Sequence, residues 1–274
     1  MGRFLSCLLL VISTQAGAAQ GLLPQVESGG GLRPLTTMDV ARGYEAVGRL
    51  DHDRGYCSAT LIAERLVLTA AHCLFDERGA RIADARFTFR AGLRNGRAEA
   101  ERGVAASFVP AAYRARADAE IEGLAADLAL VELDRPIRLP MVRPIRAGGD
   151  LGPRDVVTIV SYGRDRDDFA SIEEEYRALH REGEIIVMSC SVVEGSSGAP
   201  VLRRTPSGLE VVAVVSATGS AGGHAASFAV GAQALLQDLL AARARTALGN
   251  AEPVRRLRSG EDARGQIGAR FLRP

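Results

Sequence analysis

The chain has 274 residues, which is enough for one large or two small hydrophobic cores. Its 34 basic and 33 acidic side chains nearly cancel, so the net charge does not indicate a nucleic acid or an anionic membrane as its partner. Composition therefore favours an ordinary globular protein, and its function must be sought in local motifs.

The N-terminus has the features of a secretory signal peptide. Arg3 supplies a positive start, residues 4–12 form a short apolar segment, and the small residues 16–18 precede a cleavage position. The apolar segment is too short to span a bilayer, and the alternative is an N-terminal helix of the core. We expect residues 1–19 to be removed and the mature protein to be secreted or periplasmic in a bacterium, where disulfides persist.

The next segment, residues 20–42, is rich in Gly, Pro, Ser and Thr, which is typical of a linker or pro-segment. Beyond it, short apolar or alternating runs are separated by turn residues, a pattern that favours an all-β sandwich or barrel over βαβ units. A proline-rich crossing at 136–149 marks the boundary between two halves. The predicted strands are 59–62, 66–69, 87–91, 104–109, 128–133, 156–162, 184–188, 199–203, 210–217 and 227–230.

The C-terminal part predicts one helix and one tail. Residues 233–243 form an amphipathic helix that we expect to pack on the second half of the chain. Its apolar face carries four leucines, namely Leu235, Leu236, Leu239 and Leu240. Residues 249–274 are polar and rich in arginine, so we expect a mostly disordered tail, with a basic interaction arm as the alternative.

Three short blocks carry the candidates for chemistry. Thr-Ala-Ala-His-Cys at 69–73 places His72 directly after an apolar run. Asp127 enters the apolar strand 128–133, where a buried carboxylate needs a partner. Gly-Ser-Ser-Gly at 195–198 places Ser197 between glycines that permit a sharp turn. Together these blocks supply the hydroxyl, imidazole and carboxylate that acyl transfer requires.

Each block has another interpretation when it is taken alone. A histidine beside a cysteine is often a packed residue, and Gly-Ser-Ser-Gly is common in loops. Asp118 and Asp134 are rival carboxylates, although their polar surroundings are typical of solvated turns. An α/β-hydrolase would need a glycine two residues after the serine, where Ala199 stands, and a base later in the chain, for which His224 is available.

The three blocks, in this order, resemble those of the trypsin/chymotrypsin-like serine peptidases. The resemblance covers about residues 43–243 and is greatest to the bacterial glutamyl-endopeptidase-like branch. It implies two antiparallel six-stranded β-barrels, at about 43–140 and 141–230, followed by the helix 233–243. The active site would lie in the cleft between the barrels.

The resemblance also implies residue roles. His72 would be the general base, Asp127 the carboxylate that orients it, and Ser197 the nucleophile. The backbone N–H groups of Gly195 and Ser197 would form the oxyanion hole. Cys57 and Cys73 would form a disulfide worth about 3 kcal/mol on the chain-entropy estimate. Cys190 would then remain as a buried free thiol or an intermolecular partner.

Two features depart from the family pattern. Ser196 stands where trypsin-like enzymes have an aspartate that pairs with a newly released N-terminus, and no Ile-Val-Gly-Gly start is found near residue 43.

At the implied substrate pocket, Ser191 would lie near the base of the S1 pocket, and the strand residues Ser216, Ala217 and Thr218 would pair with the substrate backbone. No acidic residue is predicted at the pocket base, which argues against an Arg or Lys preference, and His224 is a candidate for favouring an acidic side chain.

We therefore expect a secreted serine endopeptidase that acts as a monomer on protein or peptide substrates. No metal or cofactor is expected, because the sequence has no clustered set of His, Cys and Asp with ligand spacing. We expect no nucleic-acid partner and no stable membrane insertion after the signal is cleaved. The alternatives are a peptidase homologue that binds partners without turnover, and a serine esterase.

Overall fold

Fourteen β-strands make up about half of the described chain, which in this computed structural model comprises residues 31–115, 121–152, 155–164, 166–188, 193–221 and 224–249. The predicted signal peptide and residues 250–274 of the predicted tail lie outside the described residues. In the first half the strands are β1 Arg33–Pro34, β2 Val47–His52, β3 Gly55–Ala63, β4 Leu66–Thr69, β5 Thr88–Ala91, β6 Ala100–Phe108 and β7 Ala129–Leu133.

The second half contains β8 to β14 and the main helix. The strands are β8 Arg146–Ala147, β9 Val156–Gly163, β10 Arg166–Glu182, β11 Ile185–Met188, β12 Pro200–Thr205, β13 Gly208–Ala221 and β14 His224–Gly231. The α-helices are α1 Ile121–Leu124 and α2 Gln233–Gly249, and single 3₁₀ turns occupy Ala71–Leu74 and Asp84–Arg86. The predicted all-β character is confirmed.

The first half is a closed antiparallel barrel with the strand order β2-β3-β4-β7-β6-β5, as expected for one of the two barrels. Its core is filled by apolar side chains that alternate inward, such as Leu61, Val67 and Phe89. Gly48 on β2 permits the closure, because a Cβ there would lie 2.3 Å from the carbonyl oxygen of Arg90 on β5. Only glycine lets the two strands approach so closely.

The second half differs from the expected six-stranded barrel. It is a curled sheet of eight strands, in the order β1-β10-β11-β14-β13-β12-β9, with β8 beside β13 and a further pairing between β10 and β9. The two strands beyond six are β8, which pairs with β13, and β1, which pairs with β10; β10 also pairs with β9 and β11 along its length. Register shifts near Glu173 and Ala178 let this strand change partners.

The segment before the first barrel is attached to this second sheet. Arg33 and Pro34 pair with β10, and the N–H of Leu35 donates a hydrogen bond to the carbonyl of Ala170 at 2.9 Å. The Leu35 side chain is buried in the core. The assignment of residues 20–42 as a linker or pro-segment stays a prediction.

The C-terminal helix is confirmed, and it begins at the expected residue. Leu236 and Leu239 are buried, and Leu235 and Leu240 are partly buried. The expectation that it packs on the second half is wrong: α2 lies on β6 and β7 of the first barrel. Arg243 fixes it there through two 2.8 Å hydrogen bonds to the carboxylate of Glu132 on β7. Within the described residues, none of the helices combines the length and apolar character needed to cross a bilayer.

The two halves share one continuous core. Val160 and Tyr162 of β9 and Ile172 of β10 pack with the buried side chains of the first barrel, while the opposite faces of the same strands enclose a separate apolar cluster inside the second sheet. Because the shared core joins the halves, side chains from both can be held in fixed positions at their junction.

Candidate active site

His72 lies on the 3₁₀ turn Ala71–Leu74, directly after β4. Antiparallel pairing of β4 with β7 sets Thr69 opposite Ala129, and Asp127 lies two residues before that position. Strand register therefore brings the histidine and the carboxylate together, although they are 55 residues apart in the chain.

The predicted disulfide is confirmed. Cys57 on β3 is bonded to Cys73, and their Cα atoms are 6.1 Å apart. This bond ties the residue after His72 to the neighbouring strand of the barrel. The two sulfurs and an imidazole nitrogen also lie within 4.8 Å of one another, but disulfide sulfurs are not the thiolates that zinc requires.

The side chain of Asp127 is almost entirely buried, and three hydrogen bonds fix it in place. Its Oδ2 atom lies 2.7 Å from Nδ1 of His72, and its Oδ1 atom accepts the backbone N–H of His72 at 2.8 Å. The hydroxyl of Ser216 donates a further short hydrogen bond to Oδ2. This arrangement places the ring proton on Nδ1 and leaves Nε2 as the acceptor of the neutral imidazole.

Burial and charge act in opposite directions on this pair. Burial raises the pKa of Asp127, but the positive charge of His72 and the hydrogen bonds from His72 and Ser216 outweigh it and hold that pKa below its ordinary value. Burial lowers the pKa of His72, but the charge of Asp127 and its hydrogen bond outweigh that effect, so the pKa of His72 is raised. The imidazole therefore gains basicity from its carboxylate partner.

Residues 193–199, here called the Ser197 turn, pack directly against the first barrel. The N–H of Ser58 on β3 donates to the carbonyl oxygens of Gly195 at 3.1 Å and Ser197 at 2.8 Å. Gly198 has a φ of 80°, and a Cβ there would lie 2.1 Å from the Ser58 carbonyl oxygen and 2.2 Å from Oγ1 of Thr69. The turn is thus held against Thr69, which lies three residues before His72 in the chain.

The backbone N–H groups of this turn differ in their hydrogen bonding. Among the described residues, the N–H groups of Gly195 and Ser197 donate to no backbone carbonyl, whereas the intervening Ser196 N–H donates to Val193 at 2.9 Å. Gly195 has a φ of 94°, and the Tyr56 ring lies 2.7 Å from where a Cβ would be. Only glycine fits there, because both the backbone conformation and the lack of space exclude a side chain.

The Ser197 side chain is partly exposed. Within the part of the chain that the structure describes, its hydroxyl makes no hydrogen bond, either to Nε2 of His72 or to another group. Hydrogen bonds between a base and a nucleophile are often long in unliganded enzymes and tighten when substrate binds. In the structure, His72 and Asp127 are in direct contact, and the Ser197 turn lies beside them.

The predicted substrate-binding residues have different surroundings. Ser216 is buried and bonded to Asp127, a contact that sequence reasoning missed because it depends on the register shift of β13 near that residue. Ala217 is partly exposed and Thr218 is exposed on the same strand. Ser191, predicted near the pocket base, lies outside the described residues, as does Cys190. The rival carboxylate Asp134 is exposed.

Comparison with known proteins agrees with this geometry. Residues 57–214, more than half of the chain, match the trypsin-like peptidase domain family. No match is found among curated proteins. A solved structure of a Glu endopeptidase in complex with MPD superimposes with a TM-score of 0.63 at 18% identity, over 81% of this chain and 99% of that chain, which shows a shared chymotrypsin-like fold. On the evidence of its family match and its fold, the chain belongs to the trypsin-like peptidases.

Proposed function

We propose that this trypsin-like peptidase is a serine endopeptidase in which His72, Asp127 and Ser197 form the catalytic triad. The observation that carries the proposal is the 2.7 Å contact between Nδ1 of His72 and a buried carboxylate, beside a glycine-flanked serine turn. A buried carboxylate so arranged fixes the tautomer of the imidazole and stabilises its protonated form, and both effects are needed for base catalysis.

In the proposed reaction, the Ser197 oxygen attacks the scissile carbonyl carbon while its proton passes to Nε2 of His72. Asp127 stabilises the resulting imidazolium, and the N–H groups of Gly195 and Ser197 stabilise the negative oxygen of the tetrahedral intermediate. His72 then gives the proton to the leaving amine, which leaves an acyl group on Ser197. Water, activated by the same histidine, releases the acid and restores the hydroxyl.

We also propose that the protein acts outside the cytoplasm as a monomer on protein or peptide substrates. The signal-like residues 1–19 support secretion, and the Cys57–Cys73 disulfide is consistent with an oxidising compartment. N-terminal sequencing of the protein from the culture medium or periplasm tests this proposal. A protein that keeps residues 1–19 in the cytoplasm would contradict it.

Hydrolysis of a peptide library by the purified chain tests the enzymatic proposal. We expect cleavage by the wild type and by Ser207→Ala, which alters an exposed turn serine as a matched control, and none by Ser197→Ala. Cleavage that persists in Ser197→Ala would remove this serine from its role. Binding of peptides without cleavage would favour the homologue, and turnover of small esters alone would favour the esterase.

A further inference from the structure

The residue before the candidate nucleophile points into the interior of the second sheet. Ser196 is completely buried, and its hydroxyl lies 3.3 Å from both the Ser161 hydroxyl and the Tyr162 carbonyl oxygen. It also accepts a hydrogen bond from Nη2 of Arg166 at 3.4 Å. The Ser197 turn is therefore attached to the sheet by a buried polar cluster as well as by Ser58 on its other side.

Arg166 is the central residue of this cluster. It begins β10 and is 9% exposed, which is unusual for an arginine. Its Nη1 atom donates to the Ser161 carbonyl at 2.5 Å, and its Nη2 atom donates to the Ser161 hydroxyl at 3.1 Å. One planar guanidinium thus joins strand β9 to the Ser197 turn through Ser161 and Ser196.

The backbone is shaped to admit this side chain. A Cβ on Gly163, at the end of β9, would lie 2.9 Å from Cζ of Arg166 and 2.7 Å from Cγ2 of Val193. A larger residue there would push the guanidinium away from the turn. On the same hairpin, the N–H of Arg164 donates to the carbonyl of Glu194 at 2.8 Å, so the hairpin contacts the turn on both sides of Gly195.

A buried guanidinium is costly unless an opposite charge compensates for it. Glu173, on the same strand, is 4% exposed, and the hydroxyl of Tyr176 donates to its Oε2 atom at 2.8 Å. Burial raises the pKa of Glu173, and the nearby charge of Arg166 opposes that shift. Glu173 thus supplies a nearby acidic group inside the sheet, while the guanidinium of Arg166 is directed at the turn.

We propose that Arg166 is a positioning residue of the active site, which holds Ser196 so that the N–H groups of Gly195 and Ser197 face the reacting carbonyl. This inference rests on the proposed serine-peptidase function. Arg166 does not contact the substrate; it acts through the backbone of the turn. Its loss should therefore slow the chemical step while leaving initial binding nearly unchanged.

Inactivation by an alkyl fluorophosphonate tests this role in the full chain. For Arg166→Met we expect the maximal inactivation rate to fall about 10²-fold, similar to the loss of one oxyanion donor, with the inhibitor constant KI within about threefold of wild type. Arg166→Lys should recover part of the rate, and so should millimolar guanidinium ions added to Arg166→Met. Arg181→Met is the matched control, because it removes a guanidinium from the other end of the same strand, and it should react like the wild type.

Several outcomes separate the explanations. A folded Arg166→Met that reacts within threefold of the wild type would overturn the positioning role. If that variant does not fold, Ser196→Ala decides: a slower maximal rate with unchanged KI supports the role, and an unchanged rate refutes it. A wild type that does not react at all would count against the proposed function itself and not against the placement of Arg166.

Discussion

At the residue scale, the carboxylate of Asp127 determines how His72 titrates. A histidine buried without a charged partner has a lowered pKa and becomes a weaker base. Here the contact with Asp127 reverses that direction, and Ser216 contributes to the lowered pKa of Asp127 by donating to the same oxygen that contacts the imidazole. The basicity of His72, the proton acceptor of the proposed reaction, therefore depends on Asp127 from the first barrel and on Ser216 from the second half.

The first prediction concerns the pH dependence of activity. Only the neutral imidazole accepts a proton, so kcat/KM should rise with pH through a pKa above the ordinary histidine value of about 6.5. In Asp127→Asn the cause of the raised pKa is removed and burial remains, so the rising limb should move to lower pH. The rate should also fall by about 10⁴, since the imidazole loses its tautomer control.

A matched control for this prediction is Asp134→Asn, which alters an exposed carboxylate near the same barrel. It should keep both the rate and the midpoint of the wild type. If Asp127→Asn titrated at the wild-type midpoint, the carboxylate would not be the group that raises the pKa of His72.

The second prediction concerns the close contact at Gly198. In Gly198→Ala, the new methyl group would meet backbone and side-chain atoms of Ser58 and Thr69, in addition to the cost of a left-handed residue. We expect loss of peptide hydrolysis and a destabilisation clearly greater than the 1–2 kcal/mol of the conformational cost alone. Gly183→Ala is the control, because Gly183 has a φ of 58° but open space around it. If urea unfolding showed equal destabilisation of the two variants, the turn would not depend on the close approach of Gly198 to Ser58 and Thr69.

At the scale of elements, local pattern predicted ten of the fourteen strands; it missed β2, the two-residue β1 and β8, and the long β10. Its sequence is charged over residues 173–175, and Glu175 has a φ of 67°, so no apolar alternation marks it as a strand. It is extended because β9 and β11 bond to it, a case in which tertiary pairing overrides local preference. The missed strand is one of the six strands β9 to β14, and the second sheet exceeds six strands because β1 and β8 also join it.

The candidate site likewise contains residues that the sequence could identify and contacts that it could not. His72, Asp127 and Ser197 could be chosen from the sequence because their three blocks occur together, in an order that resembles the trypsin-like family. The contacts of Ser216 and Arg166 could not be predicted, because they depend on strand register and on which side of a sheet a residue faces. Sequence thus identifies the candidates for chemistry, and the packing of strands identifies the groups that hold them.

The third prediction belongs to the disulfide that joins β3 to the His72 turn. Replacing both Cys57 and Cys73 by serine should lower the free energy of unfolding by about 3 kcal/mol, because the unfolded chain is no longer constrained. Urea unfolding with and without a thiol reductant measures this change. Reductant should destabilise the wild type to a similar degree and leave the double variant unchanged; a wild type that is insensitive to reduction would contradict the stabilising role.

At the scale of the whole molecule, the candidate site exists only at the junction of the two halves. The first barrel supplies His72 and Asp127, and the second half supplies Ser197 and Ser216. Hydrogen bonds from Ser58 to the Ser197 turn and from Ser216 to Asp127 cross the junction in opposite directions. The shared core and helix α2, which follows the second sheet but packs on the first barrel, hold the halves together.

The most direct test of the account is to locate the covalent adduct that a fluorophosphonate leaves on the full chain. Tandem mass spectrometry should find one adduct per chain on the oxygen of Ser197, and none in His72→Ala under the same conditions. An adduct on Ser196 or Ser216, or labelling that persists in His72→Ala at the wild-type rate, would contradict the proposed triad.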